Sequence, residues 1–467
     1  MRVVMKFGGG AVANGKKIKT VAHLIESLKE EGKIDEIVVV TSAVYGVTDT
    51  LYDNVNRIAQ EGVVEKVKEF VVQLQNMHEL AVSESISNVY VLNEVKGEIK
   101  DRIADMEKAL TGICLLGELT LRSRDYISSF GERLAAPILA GALRSSGLKA
   151  VHLTGGDAGI ITNADHGNAQ LIWGADREIR ERITPLLSDT IPVVGGFIGE
   201  TKEGKITTLG RGGSDYTATI IGAAIDADEI WLWKETEGIM SADPKMIKNA
   251  RKIPYISYIE AMELSYFGAS VLHPRAIEPV MKKKIPIRVK NLLNPREEGT
   301  LIGEEQEKTK KAAKAITLIE NAAIINVAGT GIRSISDVAA RIFSVLAAKN
   351  VDILMISHGS SERTISLAID SAQLDRAIEA IQSINASGTV IRGFTTNSNV
   401  CAMGVVGAGM AGTPGVASKV FSALGKEGVS VIMISQGSSE FNISFVLKRD
   451  EAYKAAQAIH DVFEMGS

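Results

Sequence analysis

The sequence predicts an α/β domain built on a largely parallel sheet, followed by a pair of small, intertwined α+β modules. Three observations carry this. Over the first 300 residues, strand-like and helix-like stretches alternate, with glycines at the strand ends, the pattern of parallel βα units. A charged stretch poor in large apolar residues, "EEGTLIGEEQEKTKKAAK", then intervenes. After it the text repeats: "MISHGSSERTISLAI" begins at Met355 and "MISQGSSEFNISFVL" at Met433, and at the same offset Gly329 and Gly331 recur as Gly407 and Gly409.

Taken in order, the first strand, Arg2 to Phe7, carries Lys6 at its end and runs into Gly8, Gly9 and Gly10. Such a loop is either a tight turn or a place where backbone N–H groups approach a phosphate. "KIDEIVVVTSA" is a buried strand ending in small polar residues, and residues 52–112 read as a charged helical excursion or lid. "SFGERLAAPILAGALRSSG" is a helix with a glycine stop; "TIPVVGGFIG", "DYTATIIGAAIDA" and "DEIWLWKE" are strand, helix and strand. Ligands of such sheets sit beyond the carboxyl ends of the strands. Each later module reads strand, glycine turn, helix, strand, polar turn, strand, helix, a ferredoxin-like arrangement. The second ends on a helix, 450–464, with no residues left for a closing strand. Strands such as 314–319 or 388–394 must therefore be shared between the copies.

At 467 residues the chain exceeds one core, and 45% apolar with 23% charged residues is ordinary for a folded protein. A net charge of −4 argues against nucleic acid and anionic membrane surfaces as partners. Cys114 and Cys401, far apart, give neither a disulfide framework nor metal-ligand spacing, as expected in a reducing compartment. No apolar run is long enough to span a bilayer and no signal peptide is read, so the expectation is a cytoplasmic protein.

"TTLGRGGSDYTATIIGAA" is the most informative stretch. It holds Arg211 in a glycine loop at a strand end, where a guanidinium serves as a fork for a carboxylate or phosphate. Ser214 is read as the cap of the following helix and Asp215 as offsetting its dipole. Glu132 stands early in a helix, and Ser42 and Thr48 follow a buried strand.

"KFGG", "SFGERL", "GRGGSDYTA", "ADP" after a glycine turn, "FGA" followed by "VLHP", "VKN" and the twin "SxGSSExxIS" occur in that order along essentially the whole chain. In this the chain resembles the aspartokinases of the amino-acid kinase family, with two C-terminal ACT domains. The resemblance implies a three-layer α/β/α kinase domain over 1–300, a linker at 301–313, and ACT domains at 314–390 and 391–467. It implies an ATP- and Mg²⁺-dependent kinase that makes an acyl phosphate on L-aspartate, whose own carboxylate is the nucleophile. It places Lys6, Gly8, Gly9 and Asp215 at the transferring phosphoryl group, Arg211 on a substrate carboxylate and Glu132 on the amino group. Ser42, Thr48 and Ser214 complete that pocket. Nucleotide contacts would come from Lys6, Gly9, Gly10, Lys234, Glu235, Met240, Lys245 and Ser270. Ser357, Ser361, Ser435, Gln436 and Asn442 would bind an amino-acid effector, lysine or threonine, in a homodimer or dimer of dimers.

The chain departs from the family pattern. Gly10 and Ala11 replace the hydroxyls of KFGGTSV, which predicts a looser loop. "WKETEGIMSADPK" replaces WTD and YTTDPR, Ser270 replaces the lysine of FGAKVLHP, and Asp49 a common Asn. Lys234 is read as standing in for the missing lysine at 270. The first ACT copy has Arg363-Thr364 where the second has Phe441-Asn442. Two alternatives accompany this reading: a paralogous amino-acid kinase with another acceptor or donor, and a catalytically silent, amino-acid-binding regulatory subunit.

Overall fold

The computed structural model describes residues 1–268, 272–306, 312–329, 335–359, 364–384 and 391–466. The chain divides into two compact units, Met1–Ile239 with Arg275–Glu304, and Met240–Pro274 with Glu305–Ser467. The stretch 240–274, inside the segment read as catalytic, thus packs with the C-terminal modules.

The first unit opens with β1 (Arg2–Phe7), α1 (Gly15–Glu30) and β2 (Glu36–Thr41). A helical run follows: α2 (Val47–Glu61), α3 (Val64–Ser85), α4 (Val89–Leu116), α5 (Leu121–Ser128) and α6 (Phe130–Ser145). Next come β3 (Ala150–Leu153), α7 (Ala175–Ile183), β4 (Ile191–Gly195), the hairpin β5 (Ile198–Glu200) and β6 (Ile206–Thr208), α8 (Gly213–Ala224) and β7 (Glu229–Lys234). β8 (Tyr255–Ser257) and α9 (Tyr258–Tyr266) belong to the second unit. The chain returns to the first with α10 (Glu278–Lys283), β9 (Ile287–Asn291) and β10 (Thr300–Gly303).

Seven strands of this unit stand in the order β3-β4-β2-β1-β7-β9-β10, with every neighbouring pair parallel except β9–β10. Both faces are covered, which is why β1 and β2 are near-continuous apolar runs. Val3, Met5 and Phe7 join a core with residues of α1, α3, α4 and α6. On the opposite face Gly222 of α8 lies so close to the sheet that a Cβ there would come within 2.0 Å of Ile230 Cδ1. The helical run is no lid: Val67, Phe70, Leu74, Ile99, Ile103 and Leu110 are buried in that core. The linker reading also needs correction at its start. Thr300 and Ile302 are fully buried in β10, so residues 301–303 are sheet.

The second unit continues with β11 (Ala315–Gly329), α11 (Ile335–Ala348), β12 (Ile353–Gly359), β13 (Thr364–Asp370), α12 (Leu374–Ile384) and β14 (Ile391–Val406). It closes with α13 (Val416–Lys426), β15 (Val431–Gln436), β16 (Asn442–Lys448) and α14 (Ala452–Val462). Its six-stranded sheet runs β12-β13-β11-β14-β16-β15, antiparallel throughout. The register shows the sharing read from the sequence. Ile325 lies between Leu367 of its own copy and Thr396, whereas Val405 lies between Ile443 and Ile316. The first five residues of β11 therefore close the second copy, and the start of β14 closes the first. One helical core covers each half: Val338, Ile342 and Ile381 over the first, Val420, Leu424 and Ile459 over the second.

Helix α9 is fixed against this sheet by polar contacts. Buried Glu260 accepts from Ser257 N–H (2.8 Å), Ala408 N–H (2.6 Å) and Lys314 Nζ (3.2 Å). A buried ion pair is tolerated when hydrogen bonds satisfy it in this way.

Candidate active site

Strand register builds the site. Phe7 pairs with Thr41 and with Trp233, and Thr41 pairs with Gly195. Gly8, Ser42 and Gly196 therefore leave the sheet side by side and Lys234 is the last residue of β7, all at the carboxyl ends of four adjacent parallel strands.

Lys6 forms an ion pair of 2.5 Å with Asp215, and both side chains are largely buried. The pair joins the end of β1 to the first turn of α8. That helix is capped by Gly212 at φ +72°, with no side-chain cap. Ser214 is therefore not the cap: it lies inside the helix, because a left-handed glycine already turns the chain at 212. Lys234 stands near both members of the pair. Burial and the Lys6 charge lower its pKa, while Asp215 opposes the shift.

The glycine loop turns back on itself, the Gly8 carbonyl accepting from Ala11 N–H at 2.8 Å. A Cβ on Gly8 would lie 3.5 Å from Lys6 Nζ, and one on Gly9 3.4 Å from the Ala43 carbonyl. None of the three glycines has a positive φ. They serve open access beside a cation rather than an unusual backbone.

Glu132, on α6, is buried below the loop after β2. Its Oε1 accepts from Ala43 N–H at 3.2 Å and its Oε2 has no hydrogen-bond partner among the described residues. Burial pushes its pKa up to about 8, against the smaller lowering effects of the hydrogen bonds and Lys6. A Cβ on Gly195 would meet Glu132 Cβ at 3.3 Å, one on Gly131 would lie 3.5 Å from Thr48 Oγ1, and one on Gly196 2.8 Å from Ser214 Cβ. Ser42, adjacent to Ala43, completes this cluster. Arg211 lies between Gly210 and Gly212, both at positive φ, and is exposed.

The structure thus brings together Lys6, Gly8, Gly9, Gly10, Ser42, Thr48, Glu132, Ser214, Asp215 and Lys234. Met240 and Lys245 belong to the second unit. Ser270 and Ser361 lie outside the described residues. Ser357 and Ser435 occupy equivalent positions, paired with Ser366 and Ser444. Gln436 lines a cavity of about 530 Å³ with Thr413, Ser438 and Glu440. Asn442 faces elsewhere: it is buried and its Nδ2 donates to Glu263 Oε2 at 3.0 Å.

Three supports escaped the sequence reading. Lys17 donates to the Gly10 carbonyl at 3.0 Å and pairs with Glu235, so the loop is held although its hydroxyls are gone. Buried Asp125 accepts from Thr208 Oγ1 (2.6 Å) and Gly167 N–H (3.1 Å) and pairs with His166. Arg275 donates to the Leu209 carbonyl at 3.0 Å and to Asn168 Oδ1 at 3.1 Å, fixing the segment before Arg211. The contacts of Asp125 and Arg275 span from 41 to 107 positions of sequence, beyond any local pattern.

The amino acid kinase family model matches residues 1–291, and an ACT domain model matches residues 325–383 and 403–463. Aspartokinase 1, chloroplastic, of Arabidopsis thaliana is 34% identical over 98% of this chain and 80% of the relative. The chain belongs to the aspartokinase family. It also matches the bifunctional aspartokinase/homoserine dehydrogenase 1 of that plant at 32% identity, and spans 51% of that longer relative. Among solved structures, E. coli aspartokinase III in complex with aspartate and ADP superposes with a TM-score of 0.82 at 25% identity, over 99% of both chains. The aspartate kinase of Clostridium acetobutylicum gives 0.76 at 28%, over 99% of this chain and 100% of the other. Among the described residues, no helix of this aspartokinase is long and apolar enough to cross a membrane.

Proposed function

We propose that this aspartokinase transfers the γ-phosphoryl group of ATP to the side-chain carboxylate of L-aspartate, giving an acyl phosphate on the route to lysine, threonine and methionine. The observation that carries the reading is the pairing, on one sheet edge, of the Lys6 cation beside an open glycine loop with the unsatisfied carboxyl of Glu132. Glu132 receives the amino group, Arg211 the carboxylate that does not react, and Lys6 neutralises charge on the moving phosphoryl group, a reaction governed by positioning and electrostatics. The E. coli relative's complex with aspartate and ADP supports these ligands. Mg²⁺ would arrive with the nucleotide, since such sites combine one or two carboxylates with phosphate oxygens. Asp215 is the carboxylate at this edge that would hold it, and the ion would offset phosphate charge. Trapping the acyl phosphate as a hydroxamate, with several amino acids and donors, tests the reading. Product with aspartate and ATP is expected; product with another pair, or none from a chain that binds amino acids, overturns it.

Regulation follows on the same footing. The cavity lined by Thr413, Gln436, Ser438 and Glu440 is the candidate effector site, and E. coli aspartokinase III is known in complex with lysine. Strands β12 and β15, which end the sheet and approach each other, expose Ile356, Ile432 and Ile434 by about half, apolar side chains that suit a second copy.

A further inference from the structure

We propose that Lys17 is a positioning residue for the nucleotide, holding the glycine loop in place of the side-chain hydroxyls absent at positions 10 and 11. This rests on the kinase reading above. The geometry starts at the far end of the linkage. A Cβ on Gly15 would fall 2.4 Å from the Ala81 carbonyl and 2.5 Å from Glu84 Cβ, so the first residue of α1 is pressed directly onto α3. Asn14 caps the helix by accepting from Lys17 N–H at 3.0 Å, which fixes where Lys17 projects. From this rigid post the ammonium donates to the Gly10 carbonyl at 3.0 Å and pairs with Glu235, the residue after β7. One cation therefore ties the loop after β1 to α1 and to the end of β7. Gly10 needs this: it has no side chain of its own, and the N–H groups of Gly9 and Gly10 have no partner among the described residues. Aimed by Lys17, those groups are ready for phosphate oxygens without an ordering cost at binding.

The experiment measures ATP affinity by titration calorimetry on the full chain, with melting temperatures recorded in parallel. Lys17→Met is expected to weaken ATP about five- to thirtyfold, the effect of one charge-assisted contact at a half-exposed site. Aspartate affinity and melting temperature should hold. Lys17→Arg should recover ATP affinity to within about threefold, and Glu235→Gln should fall between the two. ATP affinity within twofold of wild type in Lys17→Met overturns the proposal. So does a loss shared by ATP and aspartate that Arg does not rescue, which would make Lys17 a support of the fold. Hydroxamate formation separates the two readings: a wild-type chain that binds ATP through Lys17 but makes no acyl phosphate leaves this inference standing and removes the reaction.

Discussion

Replacing Glu132 by Gln should stabilise the protein while weakening its hold on the substrate. The carboxyl is buried, one oxygen is unsatisfied, and its pKa stands at about 8. At pH 7 it is about nine-tenths protonated, and ionising it to meet an ammonium costs about 1.4 kcal/mol, or tenfold in affinity. Aspartate should therefore bind about ninefold more tightly from pH 6 to 7 and about fivefold more from pH 7 to 8, then level off, and binding at pH 7 should release close to one proton. The stability effect has the opposite sense. The unfolded group titrates near 4.5, so its contribution to stability is complete below that pH and is lost as pH rises toward 8. At pH 7 the loss is about 3 kcal/mol as an upper bound. Gln carries no such cost. Glu132→Gln should melt a few degrees higher than wild type at pH 7.5 and equally at pH 4.5, bind aspartate about ten- to a hundredfold more weakly, and lose the pH dependence. Calorimetry in two buffers of different ionisation enthalpy counts the proton, and a melting series over pH reads the stability. A variant that melts lower at pH 7.5, or a wild type that binds aspartate without proton release, refutes the assignment.

Arg211→Ala should lower kcat/KM for aspartate by about two to three orders of magnitude, with an unchanged melting temperature because the guanidinium is exposed; unaltered kinetics would remove it from the site. Lys6→Met should cut kcat far more than aspartate affinity, and equal losses in both would deny it a role on the phosphoryl group. Lys314→Met leaves Glu260 charged and buried, so it should cost about 3–5 kcal/mol in denaturant unfolding; a loss under about 1 kcal/mol would contradict the burial argument. Deleting residues 312–467 should give an aggregating chain unresponsive to lysine or threonine, because Phe267 and Ile247 lose their cover; a soluble dimer by sedimentation would contradict both the packing and the proposed interface.

Much of the fold was legible because it rests on periodicity and on counting strands. The sharing of strands between the C-terminal modules was expected from counting strands per repeat, and the register of β11 with β14 shows it. Lys6 stood out because a charged residue at the end of a buried parallel strand has few structural uses, Arg211 because glycines flank it, and Glu132 because it is an acid in the first turn of a small-residue helix. Lys17 was not, since it stands among Lys16 and Lys19 and only the packing of Gly15 decides which lysine faces the loop. The cap of α8 was misread because Ser214 matches a cap by type, whereas the conformation of Gly212 decides the matter. The membership of 240–274 in the second unit was hidden for a related reason: Glu260 finds Lys314 across 54 positions.

The exchanged strands β11 and β14 make the repeat irreversible. Two modules that repeat the same sequence pattern each close on a strand drawn from the other's stretch of chain. Neither can be excised, transplanted or unfolded without opening the other's sheet. A change in one copy must pass along a continuous backbone of 15 or 16 residues into its neighbour.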